Sequence, residues 1–400
     1  MTRGRALVVG ASHAGAQLAA SLRQEGWSGE VVVIGDESAL PYQRPPLSKG
    51  YLAGTSTLDE LAIRRAEFYD KHEIQLLRAT VTKIDRAAGR VVLSDGETLA
   101  YDGLGLCTGG RVRQLSVLGV DLPGVFYLRT FADVESIREA ALPGRRAVIV
   151  GGGYIGLETA ASLRALGLEV TVLEAADRVL ARVTAREVSS FYERVHRDAG
   201  VEIRTGAVVE AMAGDHVVRS VVLSDGEHVP ADLVIVGVGL VPNTELAAEA
   251  GLQVEDGVVI DDLARTSDPQ IVAAGDCAIN HMARYGRLVR LESVPSAGEQ
   301  AKTAAATLCG RERPISALPW FWSDQYDLKL QIAGVNTGYD EIVLNGDPTR
   351  DRDFSCYYLQ HGRLLAADCV NRPRDFVMAK QMISQGIDVE RAELEASVGS

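Results

Sequence analysis

At 400 residues the chain is long enough for two to three domains of about 150 residues each. Its hydrophobic fraction of 46% and charged fraction of 24% are those of an ordinary globular chain and exclude a disordered, collagen-like or bare coiled-coil protein. The net charge of −13 argues against nucleic acid or an anionic membrane as a partner of the whole surface, leaving only a local basic patch for such contacts.

In chain order, Arg5 to Gly10 is a short buried-type strand ending in glycine. Gly10-Ala-Ser-His-Ala-Gly15 follows, then an Ala/Leu-rich helical stretch to about Glu25, then a strand from Glu30 that ends near Asp36. This is a strand–turn–helix–strand unit. Its turn lets backbone N–H groups approach a pyrophosphate at a helix N-terminus, and the acid after the second strand is placed to accept from ribose hydroxyls. The middle position of the Gly-x-Gly-x-x-Gly pattern is Ser12, whose Cβ crowds a pyrophosphate and whose hydroxyl is able to donate to one. Taken alone, this first turn is equally consistent with a glycine turn that binds nothing.

The second copy has no such departure. Arg146–Val150 is a strand, Gly151-Gly-Gly153-Tyr-Ile-Gly156 is a complete fingerprint, Leu157 to Leu166 is helical, and a strand from Glu169 ends at Glu174. Strand before, helix after and an acid about 20 residues on are the context a dinucleotide-binding turn requires. A further echo points to internal duplication: the stretch Asp95 to Gly109 resembles Asp225 to Gly239, each a turn, a short strand and an apolar strand running into glycine. Then Thr266 to Asp276 gives a short apolar strand ending in Gly275-Asp276, at the kind of strand end where ligand hydroxyls are met. Its position after the second unit implies that the chain returns to complete the first. Leu328–Ala333, Glu341–Leu344 and Phe354–Leu359 read as strands and Arg374 to Gln385 as a helix, after a polar Pro-bearing linker at Arg311–Pro314.

The five cysteines (107, 277, 309, 356 and 369) are odd in number and widely spaced, with no C-x-x-C or C-x4-C pair, which argues against a disulfide scaffold and a zinc site. No metal is expected. The N-terminus carries no apolar signal core, and no stretch reaches the roughly 18 apolar residues of a membrane span, so the expectation is a cytoplasmic protein.

Together these markers resemble the FAD-dependent pyridine nucleotide–disulphide oxidoreductase superfamily, and within it the ferredoxin reductases of oxygenase systems. The likeness rests on Pro41–Lys49, Gly151–Glu158, Arg178–Thr184, Gly275–Cys277, Glu292–Pro295 and Pro319–Tyr326, and it spans essentially the whole chain. It implies an α/β fold with two Rossmann-like dinucleotide-binding domains and a mixed α+β C-terminal domain. The FAD domain would be 1–109 plus 240–314, the NAD domain 110–239 and the C-terminal interface domain 315–400. It also implies that the branch lacks the redox dithiol of the disulphide reductases and passes electrons from flavin to an iron–sulfur protein.

Carried over residue by residue, the resemblance implies that FAD is held by Gly10, Ala14 and Gly15 at the pyrophosphate and by Asp36 at the adenosine ribose. Val81 and Arg129 would contact the adenine half, Asp276 the ribitol chain and Val294 the flavin ring, with Trp322 near the flavin. Lys49 would lie beside the isoalloxazine, paired with Glu158 until nicotinamide intervenes; these two are the candidate catalytic residues. NADH, the co-substrate, would meet Gly151, Gly153, Ile155 and Gly156 at its pyrophosphate, Glu174 at its ribose and the stretch around Gly239 near its nicotinamide. The plain alternatives are core roles for Val81 and Val294, a linker ion pair for Arg129 and an ordinary exposed helix-start cation for Lys49. The implied activity is hydride transfer from NADH to FAD, then single electrons to a [2Fe–2S] ferredoxin that feeds a cytochrome P450 or a Rieske-type oxygenase; a rubredoxin reductase or an NADH oxidase on the same fold is the alternative. The segment His281–Arg313 carries a net charge of +3, making Arg290 and Lys302, with Trp320 and Trp322, candidate ferredoxin contacts. The alternative there is a solvated arginine face and two core tryptophans.

Overall fold

The computed structural model describes residues 4–386. The chain packs as two compact units. One comprises residues 4–43, Asp59–Arg111 and Val241–Pro319; the other comprises Arg44–Leu58, Val112–Leu240 and residues 320–386. The sequence reading has three bodies, and the C-terminal one packs here in the same unit as the second fingerprint.

Each unit is built on a five-stranded all-parallel sheet, and the two sheets are copies. In the first the order is Ile271–Ala273, Gly103–Leu106, Ala6–Val9, Val31–Gly35, Ile74–Arg78. In the second it is Val125–Tyr127, Leu233–Val236, Arg146–Val150, Glu169–Glu174, Val201–Thr205. The central strands are buried on both faces, which accounts for their continuous apolar runs. The edge strand beside Gly103–Leu106 comes from the returning chain, whereas its counterpart beside Leu233–Val236 comes from the chain just before the second fingerprint.

The echo between Asp95–Gly109 and Asp225–Gly239 has a structural cause. Each copy carries a three-stranded antiparallel sheet: Val81–Asp85, Arg90–Leu93 and Thr98–Ala100, and Val209–Ala213, Ser220–Leu223 and His228–Pro230. Each then places an aspartate at the same point: Asp102 accepts the backbone N–H of Arg5 (2.7 Å), and Asp232 that of Arg146 (2.9 Å). These acids satisfy the N–H at the entry to each central strand.

The C-terminal sheet is antiparallel, in the order Trp320–Gln325, Leu328–Gly334, Arg363–Val370, Phe354–Gln360, Glu341–Asn345, with the helix Pro373–Gln385 packed on it. Two of its strands, Trp320–Gln325 and Arg363–Val370, were not expected from the sequence. Among the described residues no helix is long and apolar enough to cross a membrane.

Candidate functional site

The two glycine turns superimpose in their logic. Gly10 and Gly151 have φ of +110° and +113°, which an L residue adopts only with strain. A Cβ on Gly10 would sit 2.0 Å from the Cys107 carbonyl oxygen, and one on Gly151 would sit 2.3 Å from that of Gly237. Gly15 and Gly156 lie in the first turn of their helices, where a Cβ would meet the carbonyl of Gly10 or Gly151 at 1.8 and 2.0 Å, so helix and strand close together only on glycine. Gly153, the middle position, is different: nothing lies within 4 Å of its Cβ position. That empty side is the approach a pyrophosphate needs. Its counterpart Ser12 has φ −117° and ψ −155°, an extended conformation that serine adopts without strain, so its departure from glycine carries no backbone cost.

The acids after the second strands are not equivalent. Register pairs Val150 with Leu173 and Val9 with Ile34, so Glu174 corresponds to Gly35, and Asp36 stands one residue further on. Glu174 turns back onto its own loop, accepting from the N–H of Gly152 (2.7 Å) and of Ala176 (2.8 Å). In the first copy, Gly35 faces Ala11 so closely that a Cβ would come within 2.5 Å of the alanine methyl. A side chain at 35 would therefore collide with the turn.

The remaining FAD-directed residues of the first unit gather around the same turn in part. Gly275 (φ +87°) brings its backbone over Ala14, leaving 3.0 Å between the Ala14 methyl and a hypothetical Cβ, and its N–H donates to Gln300 Oε1 (2.8 Å). This seats Asp276 beside the first fingerprint. Val294 opens the helix Val294–Leu308, which packs along the fingerprint helix His13–Gln24. Val81, 6% exposed, belongs to the hydrophobic core of this unit.

Arg129 lies in the second unit, where its carbonyl accepts from Arg44 (2.8 Å). Gly239, also there, has φ +107°, and its carbonyl accepts from the N–H of Arg113 (2.9 Å). Lys49 and Glu158 meet: Nζ is 2.6 Å from Oε2. Lys49 caps the short 3-10 turn Pro45–Ser48, whose paired prolines fix the approach. Glu158 lies one turn into the fingerprint helix Tyr154–Ala165 and is 2% exposed. Its carboxylate also accepts from the hydroxyls of Ser48 (2.6 Å) and Ser323 (2.6 Å). Nothing in the sequence alone singles out these serines, beyond the alternation in Trp320–Gln325 that turns polar residues 323 and 325 to one buried side.

The candidate docking residues are largely engaged within the fold. Arg290 is held by Asp256 (3.2 Å) and Glu292 (2.8 Å) with its side chain only 13% exposed. Lys302, 37% exposed, pairs with Glu299 on its own helix. Trp320 and Trp322 are half-buried, with ring centroids 5.6 Å apart, and Trp320 also meets Phe376 and the Lys380 ammonium.

Two duplicated dinucleotide cradles and an antiparallel C-terminal sheet define a pyridine-nucleotide oxidoreductase. The chain belongs to the pyridine nucleotide–disulphide oxidoreductase family, whose model matches residues 4–301, and a reductase C-terminal model matches residues 320–398. It is 49% identical to putidaredoxin reductase of Pseudomonas putida over 96% of this chain and 92% of the relative. It is 45% identical to a probable ferredoxin reductase of Castellaniella defragrans over 98% and 96%. The solved covalent putidaredoxin reductase–putidaredoxin complex matches with a TM-score of 0.96 at 47% identity, over 98% of this chain and 96% of that one. The family implies FAD and NAD(P)H as cofactors, and the two Cβ-intolerant glycine turns, the second with an open middle position at Gly153, fit two dinucleotides. The described cysteines are all free and buried.

Proposed function

We propose that this chain is the NADH-dependent ferredoxin reductase of an oxygenase system. The observation that carries the reading is near-full-length similarity to reductases of that kind, 49% for putidaredoxin reductase against 38% for a rubredoxin-NAD(+) reductase of Pseudomonas putida. When bound, FAD supplies the chemistry that converts a two-electron hydride donor into one-electron deliveries. The chain's own part is to bind, orient and keep charge in place.

The two cradles support different residence for the two dinucleotides. Ala14 is buried beneath the Gly275–Asp276 turn, whereas its counterpart Ile155 is 45% exposed. A cradle covered by returning chain suits a resident FAD; an open one suits an NADH that must leave after each turnover. On this reading the first unit binds FAD through Gly10, Ala14, Gly15, Asp36 and Asp276, and the second binds NADH through Gly151, Gly153, Ile155, Gly156 and Glu174. The Lys49 ammonium would favour negative charge on reduced flavin. The reading places the protein in the cytoplasm. Turnover with NADH should be fast with a [2Fe–2S] ferredoxin, slow with rubredoxin and slower still with dioxygen alone; rubredoxin matching ferredoxin would favour the other acceptor.

Donor choice follows from Glu174. A carboxylate facing the adenosine ribose repels a 2′-phosphate. NADH should be preferred over NADPH by at least tenfold in kcat/KM, about 1.4 kcal/mol. Glu174→Ala should narrow the gap and also loosen the turn, since Gly152 and Ala176 lose their acceptor. Equal kcat/KM for both donors in the unaltered protein would refute the role.

For ferredoxin contact, Lys302, Trp320 and Trp322 remain the proposed residues, and Arg290 is the weaker one because two carboxylates already neutralise it. Lys302→Glu should raise the ferredoxin KM several-fold and reduce its salt dependence, leaving NADH–ferricyanide turnover near normal. Ferredoxin kinetics insensitive to both Lys302→Glu and ionic strength would remove Lys302 from the interface.

A further inference from the structure

A line of polar side chains runs through the apolar interior of the second unit and ends on Glu158. The Ser323 hydroxyl donates to Glu158 Oε1 at 2.6 Å. Gln325 Nε2 donates to Ser323 Oγ at 3.1 Å. His196 Nε2 is 2.8 Å from Gln325 Oε1, and the Tyr326 hydroxyl is 3.0 Å from His196 Nδ1. Ser323, Gln325 and His196 are 0%, 1% and 0% exposed, whereas Tyr326, at 40%, reaches solvent.

We infer that Ser323, Gln325 and His196, anchored by Tyr326, are positioning residues that hold the Glu158 carboxylate fixed for its partner Lys49. The inference rests on the reductase reading, in which Lys49 and Glu158 are the catalytic pair.

Donor and acceptor capacity gives the line a direction. Glu158, paired with Lys49, only accepts, so the single Ser323 proton points at it. Ser323 Oγ then accepts from Gln325, whose amide must turn its nitrogen to the serine and its oxygen to the histidine. His196 must carry its proton on Nε2 to donate to that oxygen, which leaves Nδ1 to accept from Tyr326. Reversing the histidine tautomer reverses every bond: Gln325 would present its oxygen to Ser323 and draw the hydroxyl proton away from Glu158. The line therefore has two polarities, and only one supports the carboxylate. A doubly protonated His196 is disfavoured independently, because burial lowers its pKa to about 4.

The outer end is built at a conformational cost. Tyr326 has φ +56°, in the left-handed region where glycine or asparagine is expected, within the two-residue turn joining Trp320–Gln325 to Leu328–Gly334. Its ring leans on the His196 ring, centroids 5.0 Å apart, and its hydroxyl selects the tautomer. A residue kept in a strained conformation that makes one defined bond to a buried histidine is consistent with a positioning role.

The test uses the FAD-loaded protein and two readouts. Long-range proton–nitrogen spectra of 15N-histidine protein should show His196 protonated on Nε2 and bare on Nδ1 from pH 5.5 to 8, and Tyr326→Phe should give a mixture of tautomers. In rapid mixing with saturating NADH, flavin bleaching should slow at least tenfold in Ser323→Ala and about threefold in Tyr326→Phe. The half-saturating NADH concentration should stay within threefold, and Ser323→Thr should recover most of the rate. Should Ser323→Ala fail to fold, Tyr326→Phe, which removes only the hydroxyl that meets His196, carries the test. Proton on Nδ1 in the unaltered protein overturns the inference, as does bleaching within 1.5-fold of the unaltered rate in Tyr326→Phe together with whichever of Ser323→Ala and Gln325→Leu folds. If NADH does not bleach the flavin of the unaltered protein, the reductase reading fails, and the catalytic role of the line falls with it whatever tautomer His196 shows.

Discussion

Asp368→Asn is expected to make the protein more stable at pH 8 and no more stable at pH 5. Asp368 is fully buried in the C-terminal sheet, where burial raises its carboxyl to about 7 against the pull of the Tyr358 hydroxyl that donates to it. Its other oxygen has no hydrogen-bond partner among the described residues. A group whose folded pKa is raised contributes fully below its unfolded pKa, near 4, and loses that contribution as pH rises through about 7. Three units correspond to about 4 kcal/mol. The amide of asparagine leaves an unpaired donor where Oδ1 was, which returns about 1–3 kcal/mol of the gain. His196 works in the opposite sense. Its folded pKa of about 4 lies below the unfolded 6.5, so its contribution is present above pH 6.5 and is lost as pH falls through 4, a span of about 3 kcal/mol. The two slopes cover nearly the same window and largely cancel. Urea melts across pH 4.5–8 should therefore show a shallow profile for the unaltered protein and a steep rise with pH for Asp368→Asn. Parallel profiles for the two would contradict the assignment.

Gly10→Ala and Gly151→Ala should separate the two cradles. Each places a methyl at φ of +110° or more and within about 2 Å of a carbonyl oxygen, so each costs at least about 3 kcal/mol locally. Gly10→Ala is expected to yield colourless or largely flavin-free protein. Gly151→Ala should stay yellow, while its affinity for NAD+ falls more than tenfold. Flavin content after gel filtration and equilibrium titration with NAD+ check the two outcomes, and a colourless Gly151→Ala protein that still binds NAD+ would exchange the two assignments.

Much of this architecture is legible in the residues because the dinucleotide turn is a local device. Gly10, Gly15, Gly151 and Gly156 are demanded by backbone geometry within a few residues of one another, and the echo ending at Asp102 and Asp232 reports a repeated strand entry. What the sequence hides is non-local. Asp36 and Glu174 look like equivalent strand-terminal acids, and only the register with Ala6–Val9 and Arg146–Val150 shows them one residue apart. The strand Arg363–Val370 runs through Leu, Ala, Asp and Cys with no alternation, because from Ala366 to Val370 it is buried on both faces. Ser323, Gln325 and His196 are common polar residues in sequence; their meaning lies in a line assembled from a helix and a strand more than 120 residues apart. The segment Arg44–Leu58 leaves the first unit for the second so that Ser48 and Lys49 can reach Glu158, a departure that no periodicity announces.

In the proposed function electrons enter as a hydride and leave one at a time. Its most direct test is an anaerobic titration of the yellow protein and an oxidised [2Fe–2S] ferredoxin with NADH, followed by visible absorbance. The expected result is complete reduction of the ferredoxin at one NADH per two ferredoxins, with the protein present in catalytic amount. Ferredoxin that stays oxidised while NADH is consumed, or NADH that is not consumed at all, would contradict it.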